Sequence, residues 1–272
     1  MFRQKCKLKL ARFCDWARHL SSLDVDYAFA DFEKTYELIK KTVPHVPIDS
    51  FEVVKQVEEY RRFWKPKETN VVLLAESHVY TDRQDYEIKC KEIIPNYPLH
   101  YVRFVYCLGY GENDLLERKI ANNRGTPQFW KIFRSCVAND QIDLGFNRVL
   151  KTRTPDFQKR LRNKIDVLHK MQEKGVWLLD ASIVGLYGSE VKNFNEIKRM
   201  IEISWDNHLI NIIKELEPKF IIIIGKKVEN ILVSKLEKLD IPYKTILQPQ
   251  ARGNSQEQLE RYREYQRICA KY

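Results

Sequence analysis

The sequence lacks most of the features that mark secreted and membrane proteins. Its six cysteines form no C-x-x-C pair and do not have the dense spacing of small disulfide-stapled domains. No stretch approaches the roughly 18 consecutive apolar residues of a membrane span. The first residues, MFRQKCKLKLARF, contain neither the apolar run nor the small-residue cleavage site of a signal peptide. We therefore expect reduced thiols, no membrane association and a cytoplasmic location.

The usual signatures of metal and phosphate sites are missing as well. The six histidines are scattered without ligand spacing, which predicts no catalytic metal. Gly109-Tyr110-Gly111 does not belong to a G-x-G-x-x-G or G-K-[ST] motif that leads from a strand into a helix. This absence argues against a Rossmann-like enzyme that acts on a small nucleotide.

What the chain has in excess is positive charge. Lysine and arginine outnumber the acidic residues by 47 to 37, for a formal net charge of +10, and they are spread along the whole length. Such a surface favours a polyanionic partner such as DNA, although a solvated basic surface without a partner is the alternative. At 272 residues with 44% hydrophobic content, we expect a monomer with one main domain, residues 65–272, and a helical extension packed on it, residues 1–64.

Short apolar runs alternate with segments of helical periodicity, as parallel βαβ units require. The predicted helices after the extension cover 155–173, 192–216, 226–239 and, with a capping-box start, 254–272. The predicted strands are 71–75, 176–179, 220–224, a weaker one at 243–247 and a candidate fifth at 101–107. These elements predict an α/β fold, a three-layer α/β/α sandwich around a mainly parallel sheet of four to five strands.

Ligands of such sheets bind outside the carboxyl ends of the strands. Four segments follow the predicted strands directly: 76–82, 180–188, 225–227 and 248–252. We therefore expect the functional residues to lie in these segments.

Taken in chain order, these segments resemble the motifs of the uracil-DNA glycosylase superfamily. The run Ala75-Glu76-Ser77-His78-Val79 stands where members carry G-Q-D-P-Y, G-I-N-P-G or G-E-A-P-G, and Asp180 in WLLDAS stands where many carry asparagine. The run 204–208 (SWDNH) resembles the family's tryptophan-bearing helix start, and 221–232 resembles its third core strand and following helix. The run 247–252 matches the H-P-S loop through Pro249 alone. The resemblance spans roughly residues 58–265 and implies a base-excision enzyme with 65–272 as its catalytic domain.

The resemblance implies three candidate catalytic residues: Glu76, Ser77 and Gln248. Ser77 replaces the aspartate or asparagine that orients water, so Glu76 is the candidate for aligning water and stabilising a sugar cation, with Asp82 as second choice. An N-cap or a surface ion pair is the alternative role for Glu76. Gln248 replaces a histidine that donates to the departing base; its amide donates but cannot act as an acid. Its alternative role is that of a turn residue before Pro249.

The candidate base-recognition residues are Asp180, His78, Val79, Tyr110 and Phe129. A carboxylate at the position of Asp180 repels uracil O4 and accepts from the amino group of a cytosine-like base, although Asp180 could also simply cap the next segment. Val79 replaces a tyrosine that crowds the pyrimidine C5, so a C5-modified cytosine is the expected substrate. Such a substrate makes defence against viral DNA an alternative to DNA repair.

Three basic residues are candidates for DNA binding. Arg252 stands where relatives place an intercalating side chain, and Lys226 and Lys227 stand at a predicted helix start that could hold a phosphate. Phe129, Tyr110 and Tyr106 are candidates for stacking on a flipped base. Some relatives carry an iron-sulfur cluster on four cysteines, but without a C-x-x-C pair we expect none here. A catalytically silent DNA or nucleotide sensor on the same fold is the alternative to an enzyme.

Overall fold

A four-stranded, all-parallel sheet forms the centre of the protein. The computed structural model describes residues 22–139, 145–248 and 251–272. The strands are β1 (Val71–Ala75), β2 (Val176–Asp180), β3 (Phe220–Ile224) and β4 (Tyr243–Ile246), in the sheet order β2-β1-β3-β4. Central β1 is therefore bordered by strands that follow it much later in the chain.

The strands are apolar because both faces of the sheet are covered. Every residue of β1 and β2 is buried, and β3 contributes four consecutive buried isoleucines. A strand buried on both faces has no polar alternation, and this is why the apolar runs predicted the strands. Edge strand β4 is more exposed.

Helices pack on this sheet as an α/β/α sandwich, and the predicted fold class is confirmed. The helices are α1 (Ser22–Thr42), α2 (Phe51–Phe63), α3 (Arg83–Tyr86), α4 (Pro127–Val137), α5 (Phe157–Glu173), α6 (Phe194–Ser204), α7 (Ile210–Leu216), α8 (Lys226–Leu236) and α9 (Ser255–Lys271). Helix α4 packs against both α5 and α9, while α6 contacts both α1 and α8.

The helix ends follow local chemistry. Asn254 and Glu257 form the predicted capping box of α9, in which each side chain accepts from the other residue's backbone N–H. Ser50 accepts from Val53 N at the start of α2. Helix α8 begins immediately after Gly225, as the sequence predicted.

Helices α1 and α2 share the hydrophobic core of the sheet. Phe32 and Ile39 of α1 and Val54 and Tyr60 of α2 are buried in the same cluster as the strands. Cysteines 90, 107, 136 and 269 are buried free thiols.

The prediction of a strand at 101–107 is wrong. The segment is almost entirely buried, but it consists of turns: Phe104 N donates to Val102 O, and Cys107 N donates to Phe104 O. Its apolar residues pack into the hydrophobic core as part of the long connection between β1 and β2 instead of joining the sheet. Burial and not strand pairing produced the apolar pattern.

The run 204–208 does not start a helix, contrary to the expectation. Residues 194–216 are helical throughout, with a π-helical segment, Trp205–Leu209, between α6 and α7. Ser204 Oγ donates to Met200 O one turn earlier, so no N-cap forms. A π segment places one extra residue in the turn, and Trp205 is buried there.

Of the helices in the part of the chain that the structure describes, none is both long enough and apolar enough to cross a bilayer.

Candidate functional site

A cavity opens at the carboxyl ends of the strands. It holds about 700 Å³ of empty space, the open mouth included. Each strand contributes to its wall through its last residues or those just after it: Glu76 after β1, Asp180 in β2, Ile224 in β3 and Gln248 after β4.

The two acidic candidates converge in this cavity because β1 and β2 are neighbours in register. Ala75 is paired with Asp180, so that Glu76 follows at the same edge of the sheet. Backbone bonds continue the pairing past the strands, from Ala181 N to Ala75 O and from Ser182 N to Glu76 O. Both acids therefore lie where the sequence analysis expected functional residues, at the carboxyl ends of the strands.

Asp180 is buried and ion-paired to Arg61 of α2. Arg61 Nη2 donates to Asp180 Oδ2 at 2.8 Å. None of the described residues donates a hydrogen bond to Asp180 Oδ1. Burial raises the pKa of Asp180, although the positive charge of Arg61 acts in the opposite direction. The group is therefore easier to protonate than an exposed aspartate.

Arg61 is oriented by a second carboxylate. It donates to Glu58 one turn earlier in α2, and Arg62 Nε donates to Glu58 at 3.0 Å. Burial alone raises the pKa of Glu58, but the two arginines outweigh burial and lower this pKa to about 2. Sequence reasoning missed Arg61, since an arginine among many on an amphipathic helix gives no signal of burial.

His78 belongs to the cavity wall, and its side chain is completely buried. Its Nε2 is 3.2 Å from Asp49 Oδ2, and its Nδ1 is 3.9 Å from Asp180 Oδ2. Among the described residues, nothing forms a hydrogen bond with Nδ1.

Asp49, between α1 and α2, is a second residue that sequence reasoning missed. Its Oδ1 accepts from Thr81 N at 2.7 Å, and its Oδ2 accepts from Gly185 N at 2.6 Å. One carboxylate thus joins the loops that follow β1 and β2. A buried aspartate in a loop before a helix looks like an ordinary cap in the sequence, so its role depends on the tertiary structure.

Glu76 forms an ion pair with Lys227, the second residue of α8. Lys227 Nζ donates to Glu76 Oε1 at 2.9 Å, while Oε2 receives no bond from the described residues. Glu76 is 7% exposed and lines the cavity. Lys226 points elsewhere, with Nζ 3.7 Å from Glu229 in the same helix.

Gln248 lies against Gly225. Gly225 has φ +98°, and a Cβ on it would lie 3.0 Å from Gln248 Cγ. Pro249 and Gln250, which completed the motif, lie outside the described residues. Arg252 is exposed and is not part of the cavity wall; its carbonyl accepts from Arg261 Nη2 at 2.7 Å.

The remaining polar candidates have local bonding partners. Ser77 Oγ donates to His78 O at 2.8 Å and accepts from Leu186 N at 3.0 Å, so it also joins the loops after β1 and β2. Asp82 caps α3 by accepting from Asp85 N at 2.8 Å. The side chains of Ser77 and Asp82 thus form hydrogen bonds that stabilise the loops and the start of α3.

The hydrophobic candidates divide into two groups. Val79 and Phe129 line the cavity, whereas Tyr110 packs against Tyr101 and is not part of the wall. Tyr106 is buried, and its hydroxyl accepts from Leu178 N at 3.0 Å.

Tyr187 at the cavity mouth is a further residue that sequence reasoning missed. It lines the cavity and is 52% exposed. The backbone of Tyr187 accepts from Tyr80 N at 2.7 Å, which holds this residue beside the loop after β1.

Across residues 22–139, 145–248 and 251–272, no group of three or more histidine, cysteine, aspartate or glutamate side chains could hold a metal ion. The polar residues of the cavity wall are two acids, one histidine, one arginine, two glutamines and three hydroxyl residues: Glu76, Asp180, His78, Arg103, Gln128, Gln248, Ser77, Thr126 and Tyr187.

Fold and site together define an α/β protein with a cavity at the carboxyl edge of a parallel sheet. Neither the models of known protein families nor the curated proteins match this chain.

Proposed function

We propose that this protein is a DNA glycosylase that flips a cytosine-like base, modified at C5, out of DNA and hydrolyses its N-glycosidic bond. The observation that carries the proposal is the placement of Glu76, Asp180 and Gln248 around one cavity. Their chain order and their positions at the ends of three strands agree with the resemblance to uracil-DNA glycosylases.

Each residue has a role in a monofunctional hydrolysis. Asp180 accepts from the exocyclic amino group of the flipped base. Glu76 aligns the water that attacks C1′ and stabilises the oxocarbenium-like sugar. Gln248 donates to the base as negative charge develops on it.

The hydrophobic wall fits a pyrimidine with a substituent. Val79 leaves more room at C5 than a tyrosine does, and Phe129 offers an apolar wall for the ring. Tyr187 at the mouth supplies an exposed aromatic surface next to the opening. Bases such as hydroxymethylated or glycosylated cytosine are the substrates to test, in a repair or an antiviral role.

The partner is a nucleic acid, in agreement with the net charge of +10. Lys227 is half-exposed and contacts Glu76 of the cavity wall, and Lys226 and Arg252 are exposed. We assign these three cations to phosphate contacts.

Alkali-induced strand breakage of duplexes that contain single uracil, cytosine or C5-substituted cytosine residues tests the proposal. We expect breakage at the substituted cytosines. Glu76→Gln should slow it at least about 100-fold, the scale of a lost catalytic group. Glu92→Gln, an exposed carboxylate away from the cavity, serves as the control. Preference for uracil would contradict the assigned specificity, and full activity of Glu76→Gln would contradict the assigned mechanism.

A catalytically silent sensor is the second candidate function. The ion pair between Glu76 and Lys227 favours it, because a carboxylate already engaged by a lysine is less available to align water. In this case the wild-type protein binds modified DNA without strand breakage, and Glu76→Gln leaves the binding unchanged.

A further inference from the structure

We infer that His78 and Asp180 share one mobile proton, held in place by Asp49, and that this proton is delivered to the ring nitrogen N3 of the departing base. The inference rests on the proposed glycosylase function and specifies how a cytosine-like base is made to leave. His78 acts through Asp180, as a positioning residue.

The bonding of Asp49 determines which nitrogen of His78 carries the permanent proton. Asp49 accepts two backbone N–H groups, from Thr81 and Gly185, so its carboxylate acts here as an acceptor. His78 Nε2 must then donate to Asp49 Oδ2. The proton that His78 can gain or lose is therefore on Nδ1.

Nδ1 faces Asp180. It is buried, has no hydrogen-bond partner among the described residues, and lies 3.9 Å from Asp180 Oδ2. Without a proton between them, the lone pair of Nδ1 faces a carboxylate in a buried site, which is unfavourable for both. One shared proton removes this conflict. The distance is long for a hydrogen bond, and catalytic hydrogen bonds are often long in ligand-free structures.

The charges around the pair keep the proton mobile. Arg61 and Glu58 face Asp180 from α2, His78 faces it from the loop after β1, and Tyr106 is near Arg61. Burial raises the pKa of Asp180, while Arg61 and His78 oppose that effect. Arg61 occupies Oδ2, which leaves Oδ1 for the base.

The proton is needed because of the chemistry of cytosine. A departing uracil spreads its negative charge over two carbonyl groups, whereas cytosine has only one. In the proposed step, the shared proton passes through Asp180 to N3, and the C1′–N1 bond breaks with its electron pair moving into the ring. Water adds to C1′ and gives its proton to Glu76. Solvent then returns one proton to the pair of His78 and Asp180, and Glu76 releases its proton to solvent.

His78→Gln tests the relay. The glutamine amide can still donate to Asp49 but has no mobile proton, and His45→Gln, at an exposed histidine paired with Glu196, is the matched control. Under single turnover we expect His78→Gln to slow release of the substituted cytosine about 10²-fold or more, with His45→Gln unchanged. For 5-fluorocytosine, the loss of rate in His78→Gln should be smaller, since an electron-withdrawing substituent lets the ring leave without a proton.

The pH profile distinguishes a proton relay from a purely structural role. Imidazole is more basic than a carboxylate, so the pair keeps its last proton to a higher pH than Asp180 alone does. The alkaline decline of the excision rate should therefore move to lower pH in His78→Gln. An equal loss for both bases with an unmoved profile would overturn the relay.

Carboxyl-carbon NMR of Asp180 tests the shared proton independently of activity. In the wild type we expect its signal to respond to two protonation steps, because the proton is shared between two interacting groups. In His78→Gln we expect one step, with a higher pKa of Asp180 because a neighbouring cation is gone. A single, identical step in both proteins would refute the inference. If the wild type releases no base, the proposed function fails, while the NMR result still decides whether the two residues share a proton.

Discussion

Asp180 combines burial with an ionisable group that faces a cavity. Its raised pKa means that the charged form is less stable in the folded chain than in the unfolded chain. Asp180 therefore contributes to stability below its unfolded pKa, near 3.8, and this contribution is lost as the pH rises through the folded pKa. Perturbed groups of this kind are concentrated at functional sites.

Asp180→Asn should abolish excision without lowering stability at neutral pH. Removal of the charge removes an unfavourable ionisation, so the free energy of unfolding at pH 7 is expected to stay equal or to increase. Urea denaturation and the strand-breakage assay, applied to the same preparation, measure both. A clear loss of stability at pH 7 would show that the fold depends on the Asp180 charge.

Arg61→Met should have the opposite effect on stability. It leaves Glu58 and Asp180 as buried carboxylates without their shared cation, which costs about 3–5 kcal/mol of unfolding free energy. The control is Arg62→Met, at a partly exposed arginine that also contacts Glu58, for which about 1 kcal/mol or less is expected. Denaturant titration of both variants checks the difference, and equal losses would contradict the central role of Arg61.

At the scale of elements, the loops after β1 and β2 behave as one unit. Asp49 accepts from both loops, and the hydroxyl of Ser77 bonds to both. The two acids of the site are thus held by neighbouring strands and by loops that are bonded to each other. Such rigidity keeps catalytic groups in place before the substrate binds.

Gly225, between β3 and α8, is the element junction that positions Gln248. In Gly225→Ala the new methyl meets Gln248 Cγ at 3.0 Å, and φ +98° is strained for alanine. We expect a loss of about 1–3 kcal/mol in stability and about 10²-fold in excision rate, because small displacements of catalytic groups have large effects.

Gly145→Ala is the control for Gly225→Ala. Gly145 also has a positive φ, +62°, but its Cβ would meet the side chain of Arg134, away from the cavity. We expect a loss of stability with normal excision. A parallel loss of excision in both variants would mean that Gly225 acts only through stability.

At the scale of the whole molecule, two buried groups predict the response to acid. Burial lowers the pKa of His208 to about 4 from 6.5, and the arginines lower that of Glu58 to about 2 from 4.5, against the effect of burial. Each group makes its full contribution to the free energy of unfolding above its pKa in the unfolded chain. Stability should therefore fall between pH 6.5 and 4 through His208, and between pH 4.5 and 2 through Glu58.

Each of these contributions is on the order of 3 kcal/mol. Because the two groups interact, their effects need not add. His208→Gln should remove the decline between pH 6.5 and 4 and leave the lower one. Unfolding free energies measured in urea from pH 7 to pH 3 check this, and an unchanged decline in the variant would contradict the assignment to His208.

The sequence predicted the strands of the sheet more accurately than the segments that connect them. Runs such as 71–75 and 220–224 predicted strands correctly because strands covered on both faces must be apolar. The same pattern failed at 101–107, where a buried loop is equally apolar. The run 204–208 failed because its serine bonds back along a helix instead of capping one.

By itself, the sequence determined the α/β class, the strands and the polar residues that end them, since burial of strands and local capping depend on nearby residues. Only the tertiary structure decided that Arg61 pairs with Asp180, that Asp49 supports His78, and that Lys227 reaches Glu76. These contacts join residues far apart in the chain. Their strength comes from burial, which arises only when the chain has folded.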